Sequence, residues 1–152
     1  MDSSLRMFYY FIMAKWINRG INWKIPDGYK LFTSDTVVGT SFFLSNARSW
    51  GKAKELSIEL EREPNNKHDK NAIKVIGVSK GFFFGYNRRP IGYIAKQTAK
   101  ALVRREFLDK VKPHLSEVNF PPNGKYVQIR YSLIVLEEDN KEANKIYRSY
   151  DL

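Results

Sequence analysis

Apolar and polar positions change period several times along the chain, and each change marks an element. Leu56, Ile58 and Leu60 alternate with Ser57, Glu59 and Glu61, the period of two expected of a strand with one buried face. Residues 72–78 and 90–95 read as two further strands, with Pro90 at a strand start or on an edge because it cannot donate to a ladder. Residues 36–43, TVVGTSFF, are rich in β-branched and aromatic types and predict another strand, its Gly39 marking a bulge or a close backbone approach. Between two of these strands, residues 79–87, SKGFFFGYN, form a glycine- and phenylalanine-rich excursion whose three rings cannot all face one way. The period then changes to that of a helix over residues 96–110, where Ala99, Leu102, Val103 and Phe107 form an apolar arc bordered by Lys96, Lys100 and Arg104. Residues 114–119 predict a strand, 121–124 (PPNG) a tight turn, and 125–137 a long strand. In that last strand Val127, Ile129, Tyr131, Leu133 and Val135 share one face, and Tyr126, Gln128, Arg130, Ser132 and Ile134 the other.

Upstream, residues 3–18 read as a helix, with Ser3 or Ser4 as its cap and Gly20 as its stop. The run at 7–14, MFYYFIMA, covers nearly all faces of that helix, so the domain or a partner is expected to cover it. It is far short of the roughly 20 apolar residues of a membrane span, and no small-residue cleavage site follows. The turn at 25–28, IPDG, separates it from the strand-rich region. The organisation expected is therefore an apolar helix and linker at 1–28, a β-rich domain at 36–137, and a charged tail at 138–152 that ends in a short helix or frays. The fold class is mainly β with α additions: a small, strongly bent sheet or OB-like β-barrel with one or two helices besides the N-terminal one.

The length of 152 residues suits one domain with a real core and an appended element. Charge narrows the partners. Lys and Arg number 26 against 16 Asp and Glu, a formal +10, and a basic excess of that size favours a polyanion through counterion release. Ten Phe, nine Tyr and three Trp supply rings for a core and for stacking. The absence of Cys rules out disulfides, thiolate metal sites and thiol nucleophiles, and is compatible with an intracellular location, cytoplasmic or nucleoid-associated.

The chemistry concentrates between residues 61 and 75, EREPNNKHDKNAIKV, where Asn65, Asn66, His68, Asp69 and Asn71 lie within one turn. Asn and Asp bond their own backbone in turns, so the cluster reads equally as a polar surface turn and as a ligand platform between strands. Glu59, Glu61, Glu63 and Asp69 with Lys70 raise a metal-dependent nuclease as the enzymatic alternative. However, Glu59 and Glu61 alternate on the outward face and no second acidic strand converges on them, so no catalytic residue, metal or cofactor is assigned.

The order VGTSFF, ELEREPNNKHDKNAIKV, IGYIAKQTAKAL and a late strand beginning KYVQI resembles the HIRAN domain, over residues 37–135. The resemblance implies an OB-like barrel that binds single-stranded DNA at a free 3′ end. It places Asn66, His68 and Asp69 at the terminal nucleotide, Phe42 near the bases, Lys96 on a phosphate and Tyr126 as a stacking ring. The charges themselves read either as a solvated helix edge or, when Lys96, Lys100 and Arg104 are summed with Arg88 and Arg89, as a phosphate track. The chain departs from well-studied members at Ser41, where they carry a basic residue, and at His68, where they carry Tyr. The implied end recognition is physically coherent. A terminal hydroxyl can donate to Asp69, whereas an internal phosphodiester presents only acceptors and negative charge to a carboxylate. Base stacking on rings adds sequence-tolerant affinity.

The function expected is thus a non-catalytic binder of single-stranded DNA with preference for a 3′-hydroxyl end, in repair, replication or mobile-element DNA metabolism. Two alternatives stay open. One is a protein-interaction or self-association module using the N-terminal helix and the SKGFFFGYN excursion. The other is an RNA binder, since OB-like surfaces accept either nucleic acid.

Overall fold

A computed structural model describes residues 17–151. Among the described residues seven strands and three α-helices follow one another: β1 (Ile17–Gly20), β2 (Tyr29–Thr36), α1 (Leu44–Gly51), β3 (Ser57–Arg62), β4 (Ile73–Lys80), β5 (Tyr86–Tyr93), α2 (Lys96–Arg104), β6 (Val111–Phe120), β7 (Gln128–Leu136) and α3 (Asn140–Arg148). They form a four-stranded sheet in the order β1-β6-β7-β2 and a three-stranded sheet in the order β3-β4-β5, every pair antiparallel.

Three register shifts bend these sheets: at Leu31/Thr33 in β2, at Leu115/Glu117 in β6, and at Val75/Ile76 in β4, opposite Gly92 and Pro90 of β5. An extra residue in one strand sharpens the local twist, and so the two sheets can wrap one core. Pro90 lies at such a bulge on an edge strand, one of the two places its missing N–H permits.

Among the described residues the strands do not close into a barrel. Residues 37 and 38 stitch the sheets together instead. Val37 N donates to Ile129 O (2.8 Å) on β7, and Val38 exchanges both backbone bonds with Tyr93 (2.9 and 2.8 Å) on β5. Gly92 makes that approach possible. A Cβ there would stand 2.4 Å from Val37 Cγ1 and 2.6 Å from Val38 O, and its φ of +156° is one that side chains disfavour.

The core between the sheets draws on Ile58, Ile73, Val75 and Ile91 from the smaller one, and on the inward face of β7 from the larger. Val127, Ile129, Tyr131, Leu133 and Val135 are all buried, as their alternation predicts. Each such side chain contributes on the order of 1.5–3 kcal/mol. Trp50 of α1 fills the centre, and its Nε1 donates to Val78 O at 3.0 Å, so its one polar atom is satisfied.

Several expectations need correction. Residues 36–43 are not a strand. Gly39 takes a left-handed φ of +73°, which turns the chain into a 3-10 turn (Thr40–Phe43) that runs straight into α1. Helix α1 leaves little periodic signal in the sequence, because its buried side chains reduce to Ala47 and Trp50. Arg19 donates to the carbonyls of Gly51, the last residue of α1, and of Ala53 just beyond it, where a cation complements the helix dipole. Strand β2 leaves no alternation in the sequence either, since Phe32 is its one buried residue. The N-terminal helix at 3–18 lies outside the described residues except for its last two, and these belong to β1, which pairs from Ile17↔Phe120 to Gly20↔Glu117 along the edge of β6.

The helix at 96–110 is shorter than expected and ends at Arg104. Glu106 adopts φ +51°, Phe107 N reaches back to Leu102 O (2.9 Å) and Glu106 N to Val103 O (3.2 Å), a Schellman closure that swings Phe107 into the core. After Glu138, helix α3 buries Ala143 and Ile146 in the same core as Phe32. No helix among the described residues is long and apolar enough to cross a membrane.

Candidate nucleic-acid interface

The loop between β3 and β4 is built by its own side chains. Glu63 N donates to Ala72 O (3.0 Å) at the base, and Ala72 N donates to Asp69 O (3.0 Å). Inside, Asn66 Oδ1 accepts from the amides of His68 (2.9 Å) and Asp69 (3.0 Å), while Asn66 Nδ2 donates to Glu63 Oε2 (2.7 Å). Asp69 Oδ1 accepts from Asn71 N at 2.9 Å, an Asx turn; among the described residues no hydrogen bond reaches Asp69 Oδ2. The polar cluster is therefore scaffold in part: Asn66 is committed to the turn, and one Asp69 oxygen is left over.

Glu63 is the hub of this arrangement. Besides Asn66 it accepts from Tyr93 OH (2.7 Å) and pairs with Lys74 Nζ (3.1 Å). The donor groups, Asn66 first, then Tyr93 and Lys74, pull its carboxyl down to about 2 from the usual carboxylate range. Tyr93 answers in the opposite sense. Loss of solvent, and then the neighbouring Glu63 carboxylate, raise its phenol. Because the Tyr93 backbone holds Val38 and its hydroxyl holds Glu63, one residue ties the sheet junction to the turn.

Between turn and junction lies an open cavity of about 500 Å³. Asn66, His68, Asp69 and Ala72 form one wall; Val38, Gly39, Phe42 and Phe43 form the other. Tyr93 and Ile94 line it between them, and Lys96 stands where α2 begins. The Phe42 ring is 86% exposed, which is unusual for a large apolar side chain, whereas Phe43 packs toward Tyr93 with ring centroids 5.8 Å apart. Ala95, the N-cap of α2, offers no side-chain bond, so the first amides of that helix stay available to an anion beside Lys96.

Five of the eight residues assigned from the sequence, Phe42, Asn66, His68, Asp69 and Lys96, thus line one cavity. Three do not. Lys100 and Arg104 are exposed farther along α2. Tyr126 precedes Val127, whose amide lies 3.4 Å from Thr40 Oγ1, so it sits beside the turn that carries Phe42 but outside the cavity lining. The sequence assigns Tyr93 no role and Glu63 only a place among the acids of the nuclease alternative, although both stand inside the quoted motifs, EREPNN and IGYIAK. Of the other basic candidates, Arg88 is held by Glu59 and Glu61 on β3, and Arg89 Nη1 donates to Ser49 Oγ at 3.0 Å.

A larger cavity of about 720 Å³ opens on the four-stranded sheet, among Ser34, Ser116, Ser132 and Arg130. No residue assigned from the sequence lines it, and its hydroxyls bond one another, Ser34 Oγ to Ser132 Oγ at 2.7 Å. Size alone does not select the site; the convergence of carboxylate, rings and cation does. Among the described residues, no three His, Cys, Asp or Glu side chains are grouped to hold a metal ion.

A sequence model of the HIRAN domain matches residues 32–135. Among solved structures, the crystal structure of the HIRAN domain of human HLTF is similar, at 23% identity over 84% of this chain and 97% of that one, with a TM-score of 0.50. The NMR structure of the HLTF HIRAN domain in its DNA-bound conformation aligns at 23% identity over 83% of this chain and 90% of that one, also with a TM-score of 0.50. No curated protein sequence matches the chain significantly.

Proposed function

The chain belongs to the HIRAN domain family, whose model spans more than half of its length, and from that premise we propose that it binds single-stranded DNA without catalysis and takes a free 3′-hydroxyl end in the 500 Å³ cavity. The observation that carries the proposal is the meeting of Asp69, His68, Phe42 and Lys96, from three separate segments, around one open space. The DNA-bound conformation reported for the HLTF domain gives the same ligand class for a relative.

In this reading the terminal hydroxyl donates to Asp69 Oδ2, the oxygen that the Asx turn leaves over. The last base stacks between the exposed Phe42 ring and His68, and the first internal phosphate meets Lys96 and the amides opening α2. Asn66 acts as a positioning residue, because its amide holds the backbone of His68 and Asp69 in place. Lys100 and Arg104 continue the phosphate contacts along α2, and Tyr126 adds a ring beside Phe42. A protein of this activity serves DNA repair, replication or mobile-element DNA metabolism, in the compartment that holds the DNA.

The test compares one oligonucleotide ending in 3′-OH with the same one ending in 3′-phosphate, on the wild type and on Asp69→Ala, at two salt concentrations. A hydrogen bond to a charged group contributes about 1.5–3 kcal/mol, so the hydroxyl end should bind at least about tenfold tighter, and Asp69→Ala should abolish that preference. Equal affinity of the wild type for both ends would refute end recognition.

A further inference from the structure

The hairpin of β4 and β5 ends in Phe82, Phe83 and Phe84, which are 91, 81 and 97% exposed. Three successive large apolar side chains in water are costly, and such a patch marks a binding surface. The turn cannot hide them. Gly81 N donates to Gly85 O (2.9 Å), which closes the loop beneath the three rings. The rings of Phe82 and Phe83 stand edge to face with centroids 4.7 Å apart, so their flat faces open in different directions.

Beside Phe82 lies a cavity of about 530 Å³ lined by Lys54, Lys80, Arg89 and Ser49. The acid near them is Glu55, 3.4 Å from Lys80 in a pair whose side chains are both 56% exposed, too wet to neutralise the group. A ring and several cations around one open space is the composition that takes a base and its phosphate. An apolar protein partner would leave those cations unmatched.

The cavity also lies on a path from the first site. Helix α1 starts next to Phe42 and runs along β5, with Asn46 Nδ2 donating to Pro90 O (3.1 Å) and Arg89 to Ser49 (3.0 Å), and its Ser49 and Trp50 line the second cavity together with Gly81 and Phe82. From Tyr93, at the first cavity, to Tyr86, beside the tip, β5 spans seven residue steps, about 23 Å at roughly 3.3 Å each. At about 3.4 Å per stacked nucleotide that is about seven nucleotides.

We propose that the β4–β5 tip is a second nucleic-acid subsite, stacking bases of the same strand on Phe82, Phe83 and Phe84 while Lys54, Lys80 and Arg89 hold their phosphates. The inference rests on the end-binding reading, since the length of strand is counted from the cavity at Asp69. The test uses the full chain, wild type and the triple variant Phe82→Ala/Phe83→Ala/Phe84→Ala, with labelled oligothymidylates of about four and about twelve nucleotides, each with a 3′-hydroxyl or a 3′-phosphate, read by fluorescence anisotropy. The wild type should bind the longer strand at least about tenfold tighter than the shorter, and the triple variant should lose that gain while binding the short strand unchanged. The substituted side chains touch little but solvent, so the fold does not depend on them. A triple variant equal to wild type on the long strand, with end discrimination retained, overturns the subsite alone. Loss of end discrimination with the phenylalanine-dependent gain intact removes the end-binding reading and leaves the tip. If the variant instead loses binding only to phosphatidylserine vesicles, the tip is a lipid contact and the proposal falls.

Discussion

Replacing Glu63 by Gln keeps the size of the side chain and one carbonyl oxygen, but removes the charge on which Asn66, Tyr93 and Lys74 converge. The fall of its carboxyl from 4.5 to about 2 corresponds to an upper limit of roughly 3 kcal/mol. The side chain is 29% exposed, and solvent screening brings the expected contribution to about 2 kcal/mol. The folded-state value is depressed, so this stability is fully present above the unfolded value of 4.5 and is lost as pH falls through about 2. Urea unfolding of wild type and Glu63→Gln, followed from neutral pH down to about pH 2, measures the difference directly. It should be near 2 kcal/mol at neutral pH and shrink between pH 4.5 and 2, a difference other carboxylates cannot produce because both proteins share them. A gap that stays constant over that interval would refute the assignment of Glu63 as an ionised hub. The variant should also bind single strands more weakly at neutral pH, because Asn66 would no longer be held to orient the amides of His68 and Asp69.

Gly92→Ala should destabilise the protein by about 3 kcal/mol or more, read as a lower urea midpoint, because its Cβ collides with Val37 and with the Val38 carbonyl at a strained φ. Glu106→Gly should do the opposite, raising stability by about 0.5–1 kcal/mol and Tm by a few degrees, since Glu106 occupies the left-handed Schellman position that Gly fills without strain and its side chain is exposed.

Where hydrophobic period and burial coincide, the chain could be read directly. Strand β7 keeps Ile129, Tyr131, Leu133 and Val135 inside as their period predicts, although Ser132 and Ile134 on its other face are buried too; β3 follows the same period, and β4 is legible instead as an apolar run buried on both faces. The failures share a cause: tertiary contacts decided what the local pattern left open. TVVGTSFF has strand composition, yet Gly39 breaks the extended path, and Val37 and Val38 are used to join two sheets instead of extending one. Helix α1 rests on one large anchor, Trp50, and on a distant Arg19, neither of which a window of sequence can weigh. Glu106 shows the same limit at finer scale. A helix pattern that continues to Phe107 ends early because Phe107 gains more by folding back into the core than by extending the helix.

The site divides along a similar line. Asn66, His68 and Asp69, neighbours in sequence, all line one cavity, but residue type alone does not separate a candidate contact from scaffold. Hydrogen-bond accounting does. Asn66 spends its oxygen on two amides and a donor on Glu63, which leaves it little to offer a ligand, whereas Asp69 spends one oxygen on Asn71 and keeps the other. The same accounting brings forward Tyr93, a residue that looks like ordinary strand filler in IGYIAK. Its backbone closes the junction with Val38, its hydroxyl anchors Glu63, and its position lines the cavity. Under the proposed function, recognition depends on a turn held by the Glu63 carboxylate, which is not among the residues lining the cavity. Substitutions at Glu63 and Tyr93 should weaken strand binding through the placement of Asp69, and substitutions at Asp69 should weaken it without loosening the turn base held by Glu63 and Ala72.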